Sequence, residues 1–417
     1  MKTPLGLYNL RHQGARTAVS VGGVGFALLL VFMQLGFQGA VSHTAVNVYD
    51  HVEFDLVIRD ADYMHLYEPG TVAKRNLDAA AADEDVQEVV PFWIGLQNWR
   101  TMPPENPNPA ENPKQGSSDD SRSQPSGFRT QFLPLAIMGV EPGRRVFDLP
   151  EINEKQSMLT GDNRILVDDS TRKDYGPRNG KKFDDDDAGR ETEVGGQSVR
   201  IVGVFRLGTG LAANAALLTS NQGFDRLVPW DASQQPSMGL VRLKPGADPL
   251  TTAERLRERI GKASLQDRAA SVEILTKQAI IDWERTRWLR QTPIGLIFQL
   301  GVALSLLVGA AIVYMVLATD VADRLSEYAT LLAMGYSHRY LCAVVLSQAT
   351  ALGIAGFAGA WLVSEILYRV TEQASGIPIS MNMGRVVGVA LLGLIVCAGG
   401  GTLALRKLWK AEPANLF

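Results

Sequence analysis

The chain has 417 residues, 46% of them apolar and 20% charged, and its 41 basic against 44 acidic side chains leave a net charge of -3. That balance lacks the basic excess that nucleic-acid binding requires, so no nucleic-acid partner is expected. The two cysteines, Cys342 and Cys397, fall in apolar stretches, which argues against a disulfide framework. The average composition resembles that of a soluble protein, but it conceals four uncharged apolar blocks at residues 17–40, 294–319, 341–364 and 386–405. Each approaches or exceeds the ~20 residues that a helix needs to cross a hydrocarbon core.

Residues 3–16, TPLGLYNLRHQGAR, mix Leu5, Tyr8 and Leu10 with bases, as an interfacial helix or a plain charged anchor would. The apolar run that follows is longer than the core of a signal peptide, so an uncleaved helix is expected. Lys2, Arg11 and Arg16 precede the first block, Arg324 and Arg339 separate the second from the third, and Arg406, Lys407 and Lys410 follow the fourth. The positive-inside rule places those three regions in the cytoplasm, with both termini there. The expected organisation is a cytoplasmic start with helix one (1–40), an outer domain (41–292), helix two (293–319), a cytoplasmic elbow (320–340), helix three (341–366), a short outer loop (367–385), helix four (386–405) and a cytoplasmic tail (406–417). The fold class is therefore an α-helical membrane protein with four transmembrane helices and a large α+β periplasmic domain inserted between helices one and two.

Within the outer segment, EFDLVIRD (53–60) alternates as a strand, and TVAKRNLDAAAADED favours helix. VQEVVPFWIGLQNW, FLPLAIMGV and MGLVRLK read as further strands. ETEVGGQSVRIVGVFRL is the clearest hairpin, with two β-prone runs flanking Gly195 and Gly196. PLTTAERLRERIGK is a charged amphipathic helix expected to end at Gly261. Residues 102–127, rich in Pro, Asn and Ser, read as a disordered or mobile loop, and the insert as a whole extends to about residue 130. Asp184 to Asp187 lack the alternate-ligand spacing of a calcium loop and are expected to form a solvated acidic turn. After a strand at SVEILT, Trp283 and Trp288 precede helix two at the place where an aromatic belt would lie.

No catalytic constellation emerges. GPRNGKK (176–182) has one residue too few between its glycines for a phosphate loop and lacks the following Ser or Thr, so it reads as a turn. His12, His43, His51, His65 and His338 are scattered without zinc spacing. Glu365 reads as an interfacial residue at the outer end of helix three. Gln34 and Gln38, four apart, share a helix face and mark either a helix–helix contact or the outer end of the span. Gly22 and Gly25 in helix one, Ala355 and Gly359 in helix three, and Gly399 to Gly401 in helix four are small residues suited to close helix packing, or to a dimer seam.

Between helices two and three, Val321, Leu325, Tyr328 and Leu332 recur at helical spacing, and Asp320 and Arg324 can pair at i, i+4. Gly335 suits a left-handed C′ position and Ser337 an N-cap. A short helical elbow with an apolar stripe is expected. With no domain of its own to cover that stripe, the elbow calls for a protein partner or the lipid surface.

DRLSEYATLLAMGYSHRYL in this elbow resembles the R-E-I-G-x-L-R-A-L-G-A-S-x-x-x-I signature of the FtsX-like, or MacB-type, permeases of ABC transporters. FMQLGFQGA, TEVGGQSVRIVGVFRLG, GLVRLKPGADP, the run from TPIGLIFQL to LLAMGY, and the tail LWKAEPANLF resemble the DevC subgroup more closely. The resemblance covers nearly the whole chain; the 102–127 insert and the Asp184–Asp187 run are departures that lengthen outer loops. It implies two copies of the chain working with a separate ATPase subunit that carries ATP and Mg, and no cofactor or enzymatic activity on this chain. Carried over by position, Glu327 would be the polar contact with the ATPase, Leu331 and Met334 apolar knobs, and Gly335 the turn. A membrane fusion protein and an outer-membrane channel would complete an export path, with glycolipid the cargo in the DevC group. The FtsX side of the family implies instead a regulator of a periplasmic cell-wall hydrolase, and a third branch a lipoprotein-releasing permease.

Overall fold

The computed structural model describes residues 14–101, 131–176, 181–208, 210, 213–264, 271–323, 325–375 and 378–409. The expected N-terminal interfacial stretch through residue 13, the insert at 102–130, most of the GPRNGKK turn, Arg324, Gly376 and the tail from Lys410 lie outside the described residues, as do the side chains of Asp320, Leu325 and Leu332. The chain divides into two compact units, one of Met1–Val41 with Leu289–Phe417 and one of Ser42–Trp288.

Helix α1 runs from Gly14 to His51 and passes out of the first unit at Val41. The uncharged block ends at residue 40, but the helix continues because Ala45, Val48 and Tyr49 keep a helical spacing and are buried in the second unit. His43, Asn47 and Asp50 interrupt the hydropathy without interrupting that period.

The second unit is built on a mixed nine-stranded sheet, counted among the described residues. In chain order its elements are β1 (Leu56–Asp60), α2 (Lys74–Ala81), β2 (Val86–Arg100), β3 (Phe132–Val140), α3 (Pro150–Lys155), β4 (Arg164–Asp168), β5 (Glu191–Val194), β6 (Gln197–Phe205), β7 (Ala216–Ser220), α4 (Asn221–Leu227), β8 (Met238–Leu243), α5 (Pro249–Ser264), β9 (Val272–Thr276) and α6 (Lys277–Thr286). The fifteen-residue β2 serves two lobes. Its first half, through Phe92, pairs with β8, which continues through β1 to β9. From Trp93 onward it pairs with β3, and the order β3-β7-β4-β6-β5 returns to β2 at the Trp99–Val194 pair. Each lobe has its own core. Leu56, Ile58, Leu77, Val241, Leu256 and Ile274 fill the first, and Trp99, Leu135, Ile137, Ile201, Leu217 and Phe224 the second.

The β5–β6 hairpin turns at Gly195 and Gly196 with φ of 57° and 79°, the two positive values that a two-residue turn between twisted strands requires. Helix α5 does not stop at Gly261 but continues to Ser264. Gly261 does not take the left-handed conformation of a terminator and sits in open space, so it is a tolerated interior glycine. The Asp184–Asp187 run forms a reciprocal capping box: the Asp186 amide donates to Asp184 and the Asp184 amide to Asp187, each at 3.0 Å. Asp187 is buried against Arg190 at 3.0 Å, so one of the four carboxylates is not solvated as the sequence suggested.

The first unit is a helical bundle completed by α7 (Pro293–Asp323), α8 (Leu325–Ala333), α9 (His338–Ser375) and α10 (Met383–Trp409). Among the described residues, four helices are long and apolar enough to cross a membrane: Thr17–His51, Pro293–Asp323, Arg339–Gln373 and Met383–Leu403. The bundle core joins Val24, Leu28 and Phe32 of α1 to Val313 of α7, Val345 and Leu352 of α9 and Val389 of α10. Leu300, Leu304, Leu307, Ile354, Leu362 and Ile395 point outward, an apolar exterior suited to lipid. Glu365 pairs with Arg369 one turn on, at 2.9 Å.

Candidate functional site

The segment joining α7 to α9 folds as a short helix closed by a fixed turn. The Met334 amide donates to the Thr330 carbonyl at 3.0 Å, and the Tyr336 amide reaches back five residues to Leu331 at 3.1 Å. Gly335 takes φ of 90°, so the helix closes in the six-to-one pattern that a left-handed C′ residue allows. Ser337 starts α9 through its carbonyl, which accepts from the Tyr340 amide at 2.9 Å. The Tyr336 and Tyr340 rings lie 5.1 Å apart across this corner.

The apolar stripe expected to face solvent does not do so where its side chains are described. Val321 and Tyr328 are 1% and 2% exposed and belong to the bundle core with Leu341 and Val345. Leu331 is half-buried against the same core. Val321 and Tyr328 have therefore found their cover within the chain, because α8 packs on the ends of α7 and α9. Exposed on the elbow are Glu327, Thr330, Met334 and Tyr336, with Met334 at 63%. Of the four residues singled out by position, Glu327, Met334 and Gly335 lie on the open surface and Leu331 packs against the bundle core. Tyr336 was not singled out; its signal was its place directly after Gly335, where a Schellman turn puts the C″ side chain.

The small residues separate into contact and groove. A Cβ on Gly25 would lie 3.2 Å from the Gly356 carbonyl oxygen, and one on Gly356 would lie 2.9 Å from a Val24 methyl. The α1–α9 contact is thus made by Gly25 with Gly356, not with Ala355 or Gly359. Gly22 and Gly359 have no neighbour within 4 Å of a would-be Cβ and line an apolar groove of about 300 Å³ with Phe26, Leu29 and Val363, while Ala355 is exposed. Further along α1, Gly36 admits the Tyr368 ring, whose hydroxyl donates to the Phe32 carbonyl. Gln34 lies against Gly301 of α7.

In the second unit, Trp283 and Trp288 do not form an exposed belt. Trp288 is buried and donates to Glu284 at 3.0 Å, and Trp283 packs edge-on to Tyr63 beneath the Arg59 guanidinium. Asp168, fully buried, accepts from the amides of Ser170 and Gly208, both at 2.8 Å. Burial pushes its carboxyl up to about 6 despite these donors.

A bundle of membrane-length helices with an exposed helical elbow defines a polytopic membrane protein. Residues 300–413, which include the elbow, match the family model described as FtsX-like permease C-terminal. No curated protein matches the chain. Among solved structures, the periplasmic region of MacB from Actinobacillus actinomycetemcomitans is similar at 10% identity and a TM-score of 0.33, over 57% of this chain and 95% of that one. The extracellular domain of the noncanonic ABC-type transporter YknZ from Gram-positive bacteria is similar at 11% identity and a TM-score of 0.30, over 54% of this chain and 98% of that one.

Proposed function

We propose that the chain is the permease subunit of an ABC-type export system, closest to the DevC group, and that it transmits motion from a separate ATPase to its outer unit. The observation that carries this reading is an exposed elbow, set on a turn fixed by backbone hydrogen bonds, inside a region that matches the FtsX-like permease model. Glu327 offers a carboxylate and Met334 and Tyr336 offer apolar contacts; a groove with a basic lip and an apolar floor would complement them. Tyr328 and Leu331 wedge the elbow into the ends of α7 and α9, so displacement of the elbow would move those helices together. ATP and Mg would be held by the ATPase. Two permease copies, a membrane fusion protein and an outer-membrane channel would complete the assembly, with the elbow and both termini cytoplasmic, the outer unit periplasmic, and lipid or glycolipid as cargo.

The test is co-purification of the cognate ATPase with Glu327→Arg/Met334→Asp. Both positions are exposed, so the variant is expected to insert and fold normally while losing the ATPase. Retention of the ATPase by this variant refutes the assignment of the elbow.

A further inference from the structure

The outer unit is joined to the rest of the chain by two segments, the tail of α1 and the end of α6. They are tied to each other by buried side chains. Tyr49 of α1 shares a hydrogen with Tyr63 at 2.8 Å, the Tyr63 hydroxyl donates to Glu284 of α6, and the second oxygen of Glu284 accepts from Trp288 at 3.0 Å. The backbone of Leu66 supplies a further bond to the carboxylate. Glu284 is 0% exposed, and Tyr49, Tyr63, Tyr67 and Trp288 are all buried around it.

The protonation of Glu284 sets the direction of this relay. Ionised, it accepts from Tyr63, and Tyr63 accepts from Tyr49, so every hydroxyl hydrogen has a partner. Neutral, it donates its own proton to Tyr63, which turns to donate to Tyr49. The two arrangements differ in hydrogen direction, and the first also places a charge at a fully buried site. The nearest cation, Arg59 of β1, lies 4.4 Å over the Tyr63 ring and already pairs with Glu273 at 2.7 Å. Tyr67 contributes no cation, and its phenol is pushed up by burial. Burial lowers His65, whose ring stands 5.4 Å from Trp288; Glu68 opposes this and the Arg287 cation adds to it. Asp168 of β4 is the other buried carboxylate within electrostatic reach of Tyr67.

We propose that the Tyr49–Tyr63–Glu284–Trp288 relay is a proton-operated clasp: neutral Glu284 holds the two connecting segments of the outer unit together, and loss of its proton loosens them. Burial, the first cause, pushes the carboxyl up to about 7 against the opposing Tyr63, Leu66 and Trp288 bonds. In an opened segment it would return to the ordinary value near 4.5. The closed form therefore binds the extra proton between those values, and the clasp weakens as pH rises through them. This inference concerns the outer unit alone and stands or falls independently of the transport reading.

The experiment is hydrogen–deuterium exchange on the full chain in nanodiscs, corrected for intrinsic rates, following peptides that cover 42–51 and 277–288. Between about pH 5.5 and 8.5 the wild-type protection of both peptides is expected to fall together by ~10-fold or more. Glu284→Gln, which copies the neutral acid, is expected to keep both protected at every pH, within about 2-fold. Asp168→Asn, the control for the neighbouring carboxylate, should leave the wild-type fall in place. Should Glu284→Gln not fold, Tyr63→Phe replaces it: without the hydroxyl that links Tyr49 to Glu284, peptide 42–51 should be less protected at pH 5.5 and no longer change together with 277–288 as pH rises. Protection independent of pH in the wild type, an undiminished response in Glu284→Gln, or a wild-type fall of both peptides together in Tyr63→Phe would each overturn the clasp.

Discussion

Tyr328 tests whether the elbow is a rigid part of the bundle or a loosely hung loop. Its side chain is 2% exposed and sits in the cluster that contains Val321, Leu341 and Val345, so Tyr328→Ala removes the wedge between the ends of α7 and α9. Truncating a buried aromatic side chain costs about 3–5 kcal/mol. Taking the lower figure, ~3 kcal/mol corresponds to roughly two orders of magnitude in the local opening equilibrium. Hydrogen–deuterium exchange of peptides covering 325–341, with the chain in nanodiscs, reads this directly. Tyr328→Ala should lower protection by about 100-fold, whereas Met334→Ala, which removes an exposed side chain, should change it by less than ~3-fold. Equal effects from the two substitutions, or no loss in Tyr328→Ala, would refute the argument that buried packing makes the elbow rigid.

The α1–α9 contact gives a paired prediction: Gly356→Leu should sharply reduce the yield of folded protein, because its Cβ would already meet Val24 and the Gly25 amide at 2.9 and 3.0 Å. Gly359→Leu, which extends into an open groove, should be recovered at close to the wild-type level by size-exclusion chromatography. Asp168 makes a signed contribution to stability against pH. Its folded carboxyl holds a proton to about 6 whereas the ordinary value is 3.8, so the contribution is full below about 4 and is lost as pH rises through 6, by about 3 kcal/mol. Unfolding of the Ser42–Trp288 unit by denaturant should therefore show a shallower decline over that range in Asp168→Asn than in the wild type.

Much of this architecture is legible in the sequence because apolarity is concentrated in blocks or alternates along strands. The four membrane-length helices follow from uncharged runs, and β2, β3 and β8 from β-rich stretches. The β5–β6 hairpin follows from Gly195 and Gly196. Two strands left no such signal: β4 and β7 are short and buried nearly throughout, so they read as brief apolar runs without a period of two. The tail of α1 was hidden by His43, Asn47 and Asp50, which end the hydropathy while the helical period of its buried residues continues.

At the elbow, spacing located the helix, Gly335 and the start of α9, since each depends on local backbone chemistry. It did not tell which way the stripe faces. Val321 and Tyr328 turn inward because α8 packs on the ends of the two helices that flank it, and the direction of that fold-back is absent from the spacing of the stripe itself. The same limit applies to Trp283 and Trp288: their position suggested an interface, and their surroundings make them part of a buried cluster with Tyr63 and Glu284. Gly25 was recognisable as a packing residue, but its partner Gly356 was one step away from those chosen, because helix crossing points depend on rotation about both axes.

The most direct test of the central claim is photo-crosslinking in intact cells with a photoreactive amino acid placed in turn at Met334, Tyr336 and Tyr328. The account predicts adducts between the ATPase and the first two positions and none from Tyr328, which is buried within the chain. Absence of ATPase adducts at Met334 and Tyr336, in cells where the complex is assembled, would contradict it.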